Sequence, residues 1–434
     1  MPTIVVFCHL RWDFVYQRPQ QLLSRLAQHY RVLFIEEPVH ADGDGFMQQS
    51  SPVDNVTVCT AHTPSHAMGF HDDQIPLLQP LLVTLIEPGE RPIVWFYTPM
   101  ALPLLQELDP CLVVYDCMDE LAAFKNPPKQ LLQRETALLN LADLVFAGGP
   151  SLYEAKCERH PNTHCFPSSV DVRHFTRALE RDASHHLQQA IAHPRLGFYG
   201  VIDERFDSAL MAAVADARPD WQVVLVGPVI KINPEILPRR PNIHYLGQQG
   251  YDDLPAFLAG WDVCLLPFAL NHATRFISPT KVLEYMAAEL PIVSTPIADV
   301  ERPHGHVVAI AREPAAFVAA CEAALAQDAS ARAAMLATMR SIVAGTSWDV
   351  TADAMHGLIE AAPRRSGVPS FAGSDSVAAA AAAVGAVSGV TARVNPLRAQ
   401  GAAQKVQTAA TGSGAPGQPR TYPLDEGSVF LEKK

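Results

Sequence analysis

Ser278-Pro279-Thr280-Lys281-Val282-Leu283-Glu284-Tyr285-Met286-Ala287-Ala288 is followed almost at once by Pro291-Ile292-Val293-Ser294-Thr295. A short polar loop enters a helix whose first turn carries a cation and then a carboxylate, and an apolar strand begins directly behind that helix. A continuous apolar strand tied to a helix by a tight connection is one repeat of a parallel sheet covered on both faces. The helix start directs unpaired backbone N–H groups and a positive dipole at whatever precedes it, a natural seat for a diphosphate. Lys281 can face phosphate, and Glu284 can accept hydrogen bonds from hydroxyls.

The same alternation recurs outward in both directions. Upstream, apolar runs at Val263 to Leu266, Gln222 to Val226 and Leu196 to Tyr199 alternate with helical spacing over Leu254 to Ala259 and Asp207 to Ala217. An earlier cycle reads Thr3 to Cys8, a helix from Pro19 to Tyr30, Arg31 to Ile35, Ile93 to Phe96, Leu112 to Tyr115, a helix from Lys129 to Leu141, Leu144 to Ala147 and a helix from Pro150 to Arg159. Between them the stretch through about Asp73, rich in Pro, His and Asp, shows no regular period. Helices Pro314 to Ala326, Ala331 to Ala344 and Trp348 to Ala361 close the folded part. The chain is therefore read as two successive doubly wound α/β units, with ligands expected beyond the carboxyl ends of the strands, in a cleft between them.

The bulk numbers allow this. At 434 residues the chain exceeds the roughly 250–300 that one core sustains, and 48% hydrophobic residues supply material for two. A formal net charge of −12 argues against nucleic acid, which needs a basic face. The eight cysteines are scattered, several inside apolar runs, which fits buried thiols in a reducing compartment. Cys157, His160, His164 and Cys165 lie close together, but no CxxC pair supports a zinc site. The N-terminus has no basic region before its short apolar run, and no segment approaches the roughly 20 apolar residues of a membrane span. A cytoplasmic protein is expected, with any contact at the inner membrane face peripheral. From about Pro363 the composition shifts to Ala, Gly, Ser, Thr and Pro, which predicts a disordered tail.

Individual residues extend the phosphate reading. Gly200 follows a strand and is expected to open a helix, where the missing side chain lets phosphate approach. Arg205 in the same turn suits bidentate contact with a diphosphate, or is a surface arginine capped by Asp203 or Asp207. Lys231 is a third cation, equally readable as a solvated loop lysine. His9, Arg11, Trp12 and Asp13 follow the first strand, where an aromatic with polar flanks suits sugar stacking; alternatively Trp12 packs in a core and Arg11 pairs locally with Asp13. Arg18 at a helix start opposes the dipole, which marks it for a special role. Asp116 and Asp119 follow a strand end, and Asp119 doubles as a candidate N-cap for a helix through Leu121.

Several motifs in a fixed order make a resemblance: Gln17-Arg18-Pro19-Gln20-Gln21-Leu22, Tyr115-Asp116-Cys117-Met118-Asp119-Glu120, Gly197-Phe198-Tyr199-Gly200-Val201-Ile202-Asp203-Glu204-Arg205, Leu225-Val226-Gly227-Pro228, Asn242-Ile243-His244-Tyr245-Leu246-Gly247 and Ser278 to Thr295. Over about residues 3–360 the chain resembles the GT-B glycosyltransferases of the retaining family 4, or group 1, and within it the bacterial teichuronic-acid branch. The resemblance implies two Rossmann-like domains facing a cleft: residues 1–190 for the acceptor, 191–345 for a nucleotide-sugar donor, a closing helix at 346–362 and the tail at 363–434. It implies donor contacts from Gly200, Val201, Arg205, Gly227, Pro228, Ser278, Thr280, Lys281 and Glu284. Acceptor contacts would come from His9, Arg11, Trp12, Asp13 and Arg18, and catalytic roles would fall to Asp116, Asp119, Arg205 and Lys281.

The implied reaction moves a sugar from a nucleotide-diphosphate donor to a glycan or lipid-linked acceptor, with retention and with neither metal nor cofactor, in surface or exopolysaccharide synthesis. One position departs from the family. Glu284 matches the second glutamate of its E-x7-E motif, but the first falls on Phe276. That departure supports a second reading, a non-catalytic carbohydrate-binding or assembly protein on the same fold. A dinucleotide-dependent oxidoreductase is disfavoured, since neither half has G-x-G-x-x-G after its first strand.

Overall fold

The computed structural model describes residues 1–366; from 367 onward the tail lies outside the described residues. The first half builds a nine-stranded sheet from β1 (Thr3–Cys8), β2 (Arg31–Glu36), β3 (Val39–His40), β4 (Phe46–Val53), β5 (Val56–Thr63), β6 (Ile93–Phe96), β7 (Leu112–Cys117), β8 (Leu144–Ala147) and β9 (Thr163–Cys165). Their order is β3-β5-β2-β1-β6-β7-β8-β9, parallel throughout, with β4 added antiparallel to β5. Ile4, Val5, Val6 and Phe7 are all fully buried, so β1 meets packed side chains on both faces. Each such side chain contributes about 1.5–3 kcal/mol, which is why the run carries no polar alternation.

The second half contributes β10 (Arg195–Tyr199), β11 (Gln222–Val226), β12 (Ile243–Tyr245), β13 (Val263–Leu266), β14 (Ile292–Ser294) and β15 (Ala309–Ile310). They pair in the order β12-β11-β10-β13-β14-β15, all parallel. Counted within the sheet this is 3-2-1-4-5-6, the doubly wound order that leaves a crevice where strand order reverses, here between β10 and β13. The corresponding reversal in the first sheet falls between β1 and β6. The last helix, Trp348–Ala361, returns to the first half, burying Trp348, Ala352, Met355 and Ile359 with Leu22, Leu23 and Tyr30. No helix among the described residues is long and apolar enough to cross a membrane.

The structure corrects several local expectations. The irregular stretch before Asp73 contains a hairpin, β4–β5, turned at Asn55 with φ of 62°. A helix at Ile75–Val83, with Pro76 in its first turn and Pro80 inside, was also unforeseen. Strand β7 runs two residues further than Tyr115, which places Asp116 inside the sheet. Gly200 does not open a helix. Residues 201–207 intervene, and the next helix, Ser208–Ala217, is capped by the last of them, the Asp207 carboxylate accepting from Leu210 N.

Candidate functional site

The loops after β10, β11, β12 and β13 converge with residues 12–18, Met118, Asp119, Gly148 and Ser168 of the first half around a cleft of about 580 Å³. Its floor depends on glycine. Gly200 has φ of +136°, and a Cβ there would sit 2.8 Å from Lys281 Nζ; Gly227 has φ of +143°, and its Cβ would sit 2.0 Å from Gly200 O. Both conformations are strained for an L side chain, and at Gly227 a Cβ would also collide with backbone, whereas at Gly200 it would displace the end of the Lys281 side chain. Lys281 therefore crosses directly over the Gly200 backbone at the switch point.

Lys281 opens the helix Lys281–Ala287, preceded by Ser278, Pro279 and Thr280, all of which line the cleft. It has no carboxylate at ion-pair distance among the described residues. Burial pulls its pKa down, and Glu284 one turn later pulls it back. Glu284 is 8% exposed, and Tyr199 Oη donates a short hydrogen bond to its Oε2. Burial raises the Glu284 pKa, while that hydrogen bond and the Lys281 charge lower it. Arg205 presents Nε and Nη2 to Asp203, at 3.0 Å and 2.7 Å, and its Nη1 has no protein partner among the described residues. The Asp203 pairing allowed for in the sequence is thus present, yet Arg205 still faces the cleft. Its guanidinium lies 5.3 Å from the Phe124 ring of the first half, and Lys231 Nζ lies 5.5 Å from the same ring. Val201, Gly227 and Pro228 complete this wall.

On the opposite wall the structure divides the expected residues. Asp13, Arg18 and Asp119 line the cleft; His9, Arg11 and Asp116 do not. Asp116 is fully buried behind Arg18, which donates from Nη2 to its Oδ1 at 2.9 Å and from Nη1 to Phe166 O at 2.8 Å. A carboxylate enclosed in this way holds Arg18 in place and has no path to a reacting sugar. Asp119 caps no helix: the turn Leu121–Ala123 follows Glu120 and has no side-chain cap. Burial raises its pKa against the Arg205 charge. Trp12 also borders the cleft, but at 6% exposure its ring packs edge-on against Phe34 and belongs mainly to the core. Arg11 pairs with Glu36, at 3.0 Å, and not with Asp13. His9 is pushed down to about 4, by burial and by Lys231, and stays neutral at physiological pH.

Sequence reasoning missed Tyr199, Tyr251, Tyr16, Gln248 and Phe124. Tyr199 ends an apolar strand and reads as core. Tyr251 meets Tyr16 across the cleft at 4.6 Å between centroids and accepts from Gln21 Nε2 at 2.8 Å, while Gln248 donates to Phe14 O. Only the fold brings these segments together. Phe276, where the family carries its first glutamate, packs against the first half's core and does not line the cleft.

Two Rossmann-like sheets with a glycine-floored, cation-bearing cleft between them define the GT-B fold, and solved structures agree. The structure of Anabaena HepE in complex with UDP and glucose superposes with a TM-score of 0.61 at 16% identity, covering 83% of this chain and 100% of that one. Sucrose-phosphate synthase from Thermosynechococcus elongatus gives 0.62 at 17%, covering 83% and 98%. An E. coli trehalose-6-phosphate protein bound with UDP-2-fluoro glucose gives 0.62 at 11%, covering 84% and 100%.

Residues 193–327 match the family described as "Glycosyl transferases group 1". The "putative teichuronic acid biosynthesis glycosyltransferase TuaH" of Bacillus subtilis (strain 168) is 26% identical over 260 residues, spanning 55% of this chain and 65% of that protein. The match therefore covers less than two thirds of that relative's length. The resemblance seen in the sequence is borne out in the fold and in the family of the second half.

Proposed function

We propose that the protein is a glycosyltransferase that moves a sugar from a nucleoside-diphosphate donor to a hydroxyl of a glycan or lipid-linked acceptor. The observation that carries this is Lys281: an ammonium without a carboxylate partner among the described residues, held over the Gly200 backbone at the switch point of a doubly wound sheet. The complexes of HepE with UDP and of the E. coli protein with UDP-2-fluoro glucose support a uridine nucleotide as the first donor to try. Glu284, steadied by Tyr199, receives donor hydroxyls. Lys281 and the free edge of Arg205 neutralise charge on the departing diphosphate, preorganised for the moment when that charge develops. In this reading the two cations do the work for which a divalent ion would otherwise serve. Transfer is retaining, with the leaving phosphate accepting the acceptor proton on the same face. Asp13, Arg18 and Asp119 face the acceptor, and the product belongs to a surface or exopolysaccharide.

Calorimetry with UDP and GDP tests the seat. Lys281→Ala and Glu284→Ala should each weaken binding at least tenfold, about 1.4 kcal/mol; unchanged affinity in both sinks the assignment. The reading as a non-catalytic homologue rests on Phe276, which spends its side chain on the contact between the halves. Slow release of nucleoside diphosphate from a sugar nucleotide separates the two, since only the enzyme hydrolyses its donor.

A further inference from the structure

A second cavity, of about 390 Å³, lies at the amino ends of β10 and β13, the far ends of these strands from Gly200, and shares no lining residue with the cleft. Arg181, Arg195 and Arg332 line it together with His193, Ser184 and Asp262. None of the three guanidiniums has a carboxylate at ion-pair distance among the described residues, although most arginines among those residues do. Arg195 is 5% exposed and donates to Gly260 O at 3.2 Å and Ile191 O at 2.8 Å. Arg181 donates to Leu258 O at 3.2 Å and Ala288 O at 3.1 Å. The one acidic residue in the lining, Asp262, is already engaged by His193 Nδ1 at 2.6 Å and Arg195 N at 2.7 Å.

Donors therefore outnumber acceptors here. Arg181 Nε, the Ser184 hydroxyl proton and the whole Arg332 guanidinium have no protein partner among the described residues. Burial lowers the pKa of both Arg181 and Arg195, against the more distant charges of Asp262 and, for Arg181, Glu289. Guanidinium forks arriving from separate segments, plus a hydroxyl, suit the several oxygens of a tetrahedral anion better than the two of a carboxylate.

We propose that this cavity is a second, non-catalytic site that binds a phosphate monoester or inorganic phosphate. The proposal does not depend on the transferase reading. Titration of the full chain with inorganic phosphate and a hexose 6-phosphate by calorimetry tests it. The wild type and Lys281→Ala should bind alike, and Arg332→Ala should raise the Kd at least tenfold. Arg332 makes no side-chain hydrogen bond within the described residues, so its removal should leave the ligand-free melting temperature unchanged; Arg181→Lys provides a second, milder variant expected to weaken binding in the same direction. Binding lost in Lys281→Ala but kept in Arg332→Ala would place the anion in the cleft and overturn the proposal, as would no binding at millimolar phosphate. Crystals soaked in tungstate should show the anion between Arg181 and Arg332. Cosedimentation with vesicles containing phosphatidic acid distinguishes the sources: Arg332-dependent sedimentation assigns the monoester to a lipid headgroup, and its absence alongside soluble binding assigns it to a free phosphate.

Discussion

At Asp116 a residue that reads as catalytic serves instead as a buried support. The sequence places an aspartate at the end of an apolar strand, where a sugar-facing carboxylate is expected. The structure shows it fully buried and bound to Arg18. Removing one partner of a buried ion pair leaves the other uncompensated, at a cost of about 3–5 kcal/mol. Asp116→Ala is therefore expected to lower unfolding stability by that order in urea; full stability with abolished transfer would return Asp116 to catalysis. Tyr199 is the converse case, a residue read as core that touches the site. Its hydroxyl bond is one of the forces lowering a Glu284 pKa that burial raises. Donor binding that needs the carboxylate should weaken as pH falls towards that raised value, and Tyr199→Phe should move the midpoint to higher pH. A pH series of donor affinity in both proteins checks this, and superimposable profiles would exclude the role.

Among the elements, legibility followed burial. Strands β1, β6, β8, β11 and β13 are buried on both faces and appear in the sequence as unbroken apolar runs, so their positions could be read almost to the residue. The hairpin β4–β5 could not. β4 sits at an edge with most of its residues exposed, so no face imposes a period on Phe46–Val53. The helix Ile75–Val83 hides for another reason: Pro76 and Pro80 read as breaks, yet the first lies in the helix's opening turn, where no amide is missed. The proposed phosphate seat was legible because its chemistry is local, a glycine after a strand and a lysine at a helix start. The facing wall was legible only in part: Asp13, Arg18 and Asp119 could be singled out in the sequence, whereas Tyr16, Tyr251 and Gln248 are brought to it only by the fold.

At the scale of the molecule, the two halves meet along a floor that includes the segment leading into the helix Lys281–Ala287. Ser168 Oγ donates to Ser278 O at 2.6 Å, and Ser151 N donates to Asp299 Oδ1 at 3.1 Å, which satisfies the start of the helix Pro150–Lys156 from across the boundary. Gly149 lies at the centre of this contact. Its backbone is extended, with φ of −177°, so a side chain would cost nothing in backbone strain. A Cβ would nevertheless fall 2.4 Å from Asp299 Oδ2 and 2.7 Å from Ser278 Cβ. Gly149→Ala therefore acts through the boundary alone, pushing the halves apart where Ser278 leads into Lys281. Overpacking of this kind costs about 1–3 kcal/mol, and the melting temperature should fall accordingly. Because the displaced residue belongs to the proposed phosphate seat, nucleotide affinity should fall with it, by roughly tenfold if a little over 1 kcal/mol of the strain is relieved by moving the seat. Calorimetry with UDP on the folded variant decides the matter: lower stability with unaltered affinity would mean that the floor joins the halves without setting the geometry at Lys281.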